Sequence, residues 1–206
     1  GFVDAATSPA GNWAIAREFL TPEFSRQWVP SKATYIDEGA RLVMPSGVDS
    51  LRLTTTITAT VDDLGVYSSN SAANSPDLSY SFVQVGGQWR ISQGPAGVVI
   101  DRATFPKVYA QNTLFFYKPD FTGLIPDVRW FPSRSSVSTR VVKALLAGPS
   151  DWLSTSGAAV SAIPVGAALM ADSVPVDGGV ASVNFNSQTI KAKEGLSRLI
   201  LRQLAT

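Results

Sequence analysis

The sequence contains neither cysteine nor histidine. Without thiols it cannot form a disulfide framework or use a thiolate nucleophile, and without imidazoles it has no histidine general base. A zinc site built from cysteine and histidine is excluded for the same reason. Because these side chains carry out much of enzyme chemistry, their absence favours a protein that acts by contacting other molecules.

Charged residues are also scarce, at 16% of the chain against 45% hydrophobic residues. Residues 1–108 carry 8 basic and 10 acidic side chains, a net charge of −2. Residues 109–206 carry 9 basic and 6 acidic side chains, a net charge of +3. Neither half has the basic stripe with interleaved aromatics that binds phosphates, so no nucleic-acid partner is expected. The apolar runs are too short to span a bilayer, and the opening residues GFVD lack the features of an export signal.

The length of 206 residues suits two domains, which we place at 1–108 and 109–206. The first begins with helices. Trp13, Ala16, Leu20 and Phe24 recur at helical spacing, and Thr21 followed by proline is typical of a helix start. The sequence therefore predicts one helix that ends near Leu20 and a second that continues to about residue 28.

The rest of the first domain has the period-two pattern of strands. Apolar and polar residues alternate over 51–61, an acidic turn follows at 62–65, and two glycines at 86–87 suit a hairpin turn. Helices followed by strands predict an α+β domain in which a curled antiparallel sheet wraps the helices as a cone.

The second domain is predicted to be a mixed β/α unit. A strand over 113–117 and the string LIPDVRWFP precede a helix over 137–146, which Gly148-Pro149 ends as a cap. These two residues cannot cradle a phosphate, because that requires glycines at a helix N-terminus. A hairpin that turns at 177–179 and a last helix with Leu196 and Leu204 follow. We expect one more strand after this helix, so the domain is predicted to lack its last strand within residues 109–206.

The familiar catalytic and phosphate-binding motifs are absent from the sequence. We therefore expect no cofactor, no metal and no enzymatic activity. One alternative is a carboxylate-dependent hydrolase of wall glycans, in which Asp37 or Glu38 would pair with Asp101 as acid and base.

Aromatic residues provide two further candidate sites. One hypothesis places an apolar ligand or cell-wall fragment in the open mouth of the cone, whereas the alternative is that these rings form the core. The second hypothesis is that Asp127, Arg129 and Trp130 form a contact with a partner protein. The alternative is that Asp127 and Arg129 form an ion pair on the surface while Trp130 is buried. The ring-lined pocket would consist of Trp28, Tyr35, Tyr80, Phe82 and Trp89.

Several strings in order resemble the LpqB lipoproteins of actinobacteria. They are GFVDAA, AREFLTPEF, WVP at 28–30, QWRI, FPKVY and LFFYKPDFTGLIPDVRWFP. In the second half, KALLAGPSDWL, SAIPVGAAL and GGVASVNF resemble a GerMN domain, a type named from spore germination and sporulation proteins. The resemblance covers nearly the whole chain.

The resemblance implies an extracytoplasmic protein that a lipidated cysteine anchors to the cell membrane. It implies a cystatin-like fold for the first half, related to nuclear transport factor two, and a β-propeller after the GerMN domain. The expected partners are that propeller and the extracytoplasmic sensor domain of the histidine kinase MtrB, within the MtrA–MtrB system that affects envelope homeostasis. This sequence departs from the family in having no cysteine for lipidation and no propeller, and the family offers no catalytic motif to transfer.

Overall fold

The computed structural model describes residues 1–69, 76–133, 136–187 and 194–204. It divides into two compact units. The first contains Gly1–Asp63, Tyr67–Ala110 and Pro132–Ser135, and the second contains Leu64–Val66, Gln111–Phe131 and Ser136–Thr206. The family resemblance and the order of elements predicted an α+β chain with two domains, and this fold class is confirmed.

The first unit begins with three short helices, of which the apolar spacing predicted the second and third. Thr21 adopts extended angles and its hydroxyl accepts a hydrogen bond from the Phe24 amide at 3.2 Å, which confirms the predicted helix start. The preceding helix ends at Arg17, earlier than predicted, and residues 11–13 within it have left-handed backbone angles. The helices are α1 (Phe2–Ala5), α2 (Ala10–Arg17) and α3 (Pro22–Gln27), and a 3₁₀ turn follows at Pro30–Lys32.

A six-stranded sheet forms the rest of the first unit. Its order is β5-β4-β2-β1-β6, with β3 beside β2, and β1 pairs with β2 over a long antiparallel ladder. By contrast β6 pairs with β1 in parallel, a relation that residue alternation cannot reveal. The strands are β1 (Ala33–Gly47), β2 (Ser50–Asp62), β3 (Tyr67–Ser69), β4 (Ser79–Val85), β5 (Gln88–Gln93) and β6 (Val98–Asp101), and a short helix α4 (Phe105–Val108) comes after them.

The longest strand, β1, has no counterpart in the sequence prediction. Its pairing register shifts between Ile36 and Asp37 and again before Arg41, so the alternation of apolar and polar residues is interrupted. Gly39 has a φ of 87° at this bulge, and its amide donates to the Asp37 carboxylate at 3.1 Å. By contrast, the predicted Gly86-Gly87 turn is confirmed, with φ of 57° and 77°.

The helices pack on one face of the sheet and form the core of this unit with it. Trp13, Ala16 and Leu20 are buried on the helices, as the spacing predicts, and they pack with Ile57 and Ile91 of the sheet. The Trp13 indole donates to the Ala6 carbonyl at 2.9 Å, which satisfies its buried N–H group.

The second unit has a two-stranded sheet, β7 with β8, packed against helices. Its helix α5 buries Val142, Ala144 and Leu145 and ends at Ala147, and the φ of 97° at the next residue, Gly148, confirms the predicted stop. The elements are β7 (Tyr109–Tyr117), β8 (Leu124–Pro132), α5 (Val137–Ala147), α6 (Asp151–Thr155), β9 (Val176–Asp177), β10 (Val180–Ala181) and α7 (Glu194–Leu204).

The predicted hairpin of the second unit is present but short. β9 and β10 each contain two residues and are joined by Gly178 and Gly179, with φ of 53° and 81°. Further out, a single bridge joins Leu169 to Phe185. The last predicted helix is also present as α7, with Ile200 buried in the core.

Candidate functional site

The string DVRWFP lies in β8, and its two charged residues point into the second unit. Asp127 and Arg129 are each 1% exposed, and the Arg129 Nη2 donates to Asp127 Oδ2 at 2.7 Å. This arrangement corrects the prediction of a partner contact at Asp127 and Arg129, because side chains enclosed in the protein cannot touch a partner. The alternative of a surface pair is also wrong, since the pair is buried and Trp130 is only half-buried.

The buried pair fixes the chain around the helix stop. Arg129 donates to the carbonyls of Leu64 at 3.0 Å and Gly148 at 3.2 Å, and its Nε has no hydrogen-bond partner among the described residues. Asp127 accepts from the amide of Ser150 at 2.8 Å and from its hydroxyl at 3.1 Å. Since Ser150 immediately precedes α6, the ion pair sets where that helix begins.

The adjoining helix α6 presents the most exposed tryptophan of the described residues. Trp152 is 65% exposed, one residue after the helix begins. Leu153, the next residue, is buried in the core of the unit and holds the helix against it. Sequence reasoning missed Trp152, because a serine N-cap indicates where a helix starts but not which residues of its first turn face solvent.

In the first unit, an apolar groove lies on the face of the sheet that also packs against the helices. Three of the five predicted pocket residues, Tyr80, Phe82 and Trp89, line this groove, which has a volume of about 450 Å³. The volume is within the range of small-molecule sites. The other apolar walls were not predicted as part of a pocket, and two of them, Val43 on β1 and Phe2 on α1, lie in elements that the sequence pattern did not reveal. They include Phe2, Phe19, Val43, Leu51, Leu53 and Ile91.

The two remaining predicted pocket residues do not line the groove. Trp28 is buried in the core, where its ring packs 5.4 Å from the Phe2 ring and the Arg17 guanidinium lies 5.3 Å above it. Tyr35 is half-buried against the same core. For these two residues the structure corrects the pocket prediction in favour of the core alternative.

Burial also changes the acidity of the groove tyrosine. Tyr80 is 9% exposed, and burial raises its pKa to about 12, with a smaller contribution from Tyr35. The Tyr80 hydroxyl is therefore neutral throughout the physiological range, and it adds no charge to the groove.

The proposed catalytic carboxylates do come close together, because Asp37 and Asp101 are register partners in β1 and β6. However, Asp37 is fully buried and accepts from Arg41 Nε at 2.7 Å and the Thr55 hydroxyl at 2.8 Å. Hydrogen bonds from Thr104 and Ala103 lower the pKa of Asp101, and Glu38 forms an ion pair with Arg102 at 3.6 Å. A glycosidase acid needs a raised pKa, so the direction of this shift argues against Asp101 in that role.

The described residues form neither a metal-binding cluster nor a membrane-spanning helix. No cluster of three or more acidic side chains there is arranged to hold a metal ion, and histidine and cysteine are missing from the sequence. Among the described helices, none combines the length and the hydrophobicity that a bilayer crossing requires.

Comparison with known proteins assigns both halves of the chain. Residues 1–106 match the family model described as lipoprotein LpqB, N-terminal domain, and residues 113–206 match the model described as sporulation and spore germination. Neither description names a reaction. No solved structure gives a significant match.

The related proteins are lipoproteins of actinobacteria. Lipoprotein LpqB of Bifidobacterium longum is 32% identical over 91% of this chain and 34% of its own length. Those of Rhodococcus jostii and Nocardia farcinica are 32% and 33% identical over 72% of this chain and 25% of their own length. This chain thus spans about a third or less of these relatives, and it belongs to the lipoprotein LpqB family.

Proposed function

We propose that this chain is an extracytoplasmic, non-enzymatic binding module of a lipoprotein, and that its partner is the sensor domain of the histidine kinase MtrB. The names of the relatives support the lipoprotein assignment. The kinase partner follows from the family resemblance. The burial of Asp37, the ion pair of Glu38 with Arg102 and the amide hydrogen bonds that Asp101 accepts support a role without catalysis.

The observation that carries the proposal is the exposed indole of Trp152. Tryptophan is strongly enriched among the residues that dominate protein–protein binding energies. An exposed indole on a mobile loop would lose conformational entropy on binding, but α6 is held at both ends of its first turn. Ser150 is bound to Asp127 on one side, and Leu153 is buried on the other.

The proposal replaces the predicted contact at Asp127 and Arg129 with a neighbouring surface that these two residues support from inside. Their role becomes positioning, because their hydrogen bonds fix the Gly148–Ser150 segment from which α6 starts. Trp152 then takes the place of Trp130 as the aromatic contact residue.

Binding of the purified chain to the purified MtrB sensor domain tests this function. We expect saturable binding, and we expect Trp152→Ala to weaken it at least about tenfold, as for an interface hot spot. Trp89→Ala is the matched control, since Trp89 is also an exposed tryptophan but lies in the other unit. Absence of binding, or equal weakening by both variants, would contradict the proposal.

The β-propeller that the family resemblance implies is the second expected partner. Adding the isolated propeller domain of an LpqB lipoprotein to the same binding assay shows whether the Trp152 surface binds the kinase sensor domain or the propeller. If the propeller displaces the sensor domain, or if Trp152→Ala impairs only propeller binding, Trp152 belongs to a contact within the full-length protein and the kinase assignment is wrong.

A further inference from the structure

The groove of the first unit is formed by one face of four neighbouring strands. Val43 and Pro45 of β1 pair with Leu53 and Leu51 of β2, and Leu51 in turn pairs with Tyr80 of β4. Because side chains two residues apart share a face, these positions form continuous rows across the sheet. Phe82 and Trp89 extend the same apolar lining to β4 and β5.

The rows continue from the core into solvent. Leu53 and Ile91 are buried under the helices, whereas Val43 is 56% exposed and Trp89 is 53% exposed. A second cavity of about 430 Å³, which runs to Val48, shares Leu51, Phe82 and Trp89 with the first. The two cavities are therefore one apolar groove, and from Arg41 to Gly47 its β1 wall is about 20 Å long at 3.3 Å per residue.

The inner end of the groove has an arginine with one uncommitted side. Arg41 binds Asp37 through Nε at 2.7 Å and through Nη2 at 3.1 Å. Among the described residues, its Nη1 has only a loose contact of 3.8 Å with the exposed carboxylate of Asp4. An anionic group could replace the Asp4 carboxylate at Nη1 without breaking the buried Asp37–Arg41 pair.

We propose that this groove binds a monomeric single-chain amphiphile, with its long acyl chain along β1 and its anionic head group at Arg41. An acyl chain is linear and apolar, so it matches an elongated groove with aliphatic and aromatic walls. Its burial would cover the exposed Val43 and Trp89 together with the half-buried Phe82. The charge of Arg41 gives the ligand its direction, because a carboxylate or phosphate head is favoured next to a guanidinium. This inference does not depend on the kinase partner.

Calorimetric titration of the full chain with dodecyl phosphate, below its critical micelle concentration, tests the proposal. Two variants separate the groove from the rest of β1. Val43→Glu places a charge in the groove, and Leu42→Glu places the same charge on the opposite face of the same strand. The two positions are matched in exposure, since Leu42 is 58% exposed and Val43 is 56% exposed. Circular dichroism of both variants confirms that each is folded.

We expect Val43→Glu to weaken binding at least about tenfold, because a carboxylate is strongly disfavoured next to a buried acyl chain. Leu42→Glu should change the affinity less than about twofold, in line with an unrelated surface change. The same difference between the two variants should be seen with the neutral amphiphile dodecyl maltoside. Since this ligand has no charge, repulsion between the new glutamate and a phosphate head group cannot explain the difference. No binding by the unmodified chain, or equal loss in both variants, would overturn the groove.

The head-group assignment has its own comparison. Dodecyl phosphate should bind at least about tenfold more tightly than dodecyltrimethylammonium, since only the anion can pair with Arg41. Equal binding of the two would overturn the placement of the head. Co-sedimentation with phosphatidylglycerol vesicles, without binding of the monomeric amphiphiles, would show that the exposed residues contact a bilayer surface and that the groove is not a lipid site.

Discussion

The guanidinium of Arg129 donates to the carboxylate of Asp127 at 2.7 Å in the interior of the second unit, with both side chains almost fully enclosed. The same guanidinium reaches the Leu64 carbonyl, and the same carboxylate reaches Ser150. One ion pair thus holds two segments that are far apart in the sequence, and one of them leads directly into α6.

Removing one partner of this pair should strongly destabilise the protein. Arg129→Met would leave the Asp127 charge buried beside an apolar side chain, at a cost of about 3–5 kcal/mol in the free energy of unfolding. Urea denaturation of the variant and the unmodified chain measures this cost. A loss below about 1 kcal/mol, as is usual for surface pairs, would show that the two residues are solvated.

The coupling between the two residues can be measured separately. In the double variant Asp127→Leu with Arg129→Met neither charge remains buried, so the loss should be smaller than the sum of the two single losses by about 1–3 kcal/mol. Additive single effects would contradict the pairing.

Gly65 is expected to tolerate alanine poorly, because its environment is closed and its φ is 81°. A Cβ at this position would lie 2.7 Å from Phe131 Cε1 and 3.0 Å from the Trp130 carbonyl oxygen. Gly87 has a similar φ of 77°, but a Cβ added there would have no atom within 4 Å. Replacing Gly87 by alanine therefore measures the cost of the backbone conformation without a steric clash. We expect Gly87→Ala to cost about 1 kcal/mol and Gly65→Ala about 1–3 kcal/mol more, measured by thermal unfolding. Equal losses would mean that Phe131 does not pack against Gly65.

Tyr80 should make the folded protein sensitive to alkaline pH. Its pKa is about 12 in the folded state against 10.0 for an ordinary tyrosine, because burial disfavours the phenolate. Between these values the unfolded chain has lost the proton and the folded chain retains it, so the unfolded state binds fewer protons. Stability should therefore be unaffected below pH 10 and fall between pH 10 and 12, by up to about 1.4 kcal/mol per pH unit.

Tyr80→Phe removes this contribution. Urea unfolding at several pH values from 8 to 12 should show a shallower decline for the variant than for the unmodified chain. Identical slopes would indicate that the Tyr80 phenol titrates as if it were exposed.

The elements that follow from the sequence are those with local signals. The Thr21-Pro22 helix start, the Gly86-Gly87 turn and the Gly148 stop each depend on a few adjacent residues, and all three are confirmed. Strand β1 was not predicted because its bulge interrupts the residue alternation at Asp37. The parallel pairing of β6 joins residues more than 60 positions apart, and no local pattern encodes it.

The sites were harder to predict because residue type does not reveal which way a side chain points. In β8 an available signal was overlooked: Asp127, Arg129 and Phe131 alternate on one face, and the apolar Phe131 indicates that this face points inward. In the first unit, Trp28 and Tyr35 could not be separated from Tyr80, Phe82 and Trp89 without the sheet register.

The most direct test of the binding function is a calorimetric titration of the MtrB sensor domain with the unmodified chain. The account predicts a saturable one-to-one isotherm that shifts to weaker affinity when Trp152 is replaced by alanine. A flat isotherm at about 100 μM of each protein, where even a micromolar complex would form, would contradict it.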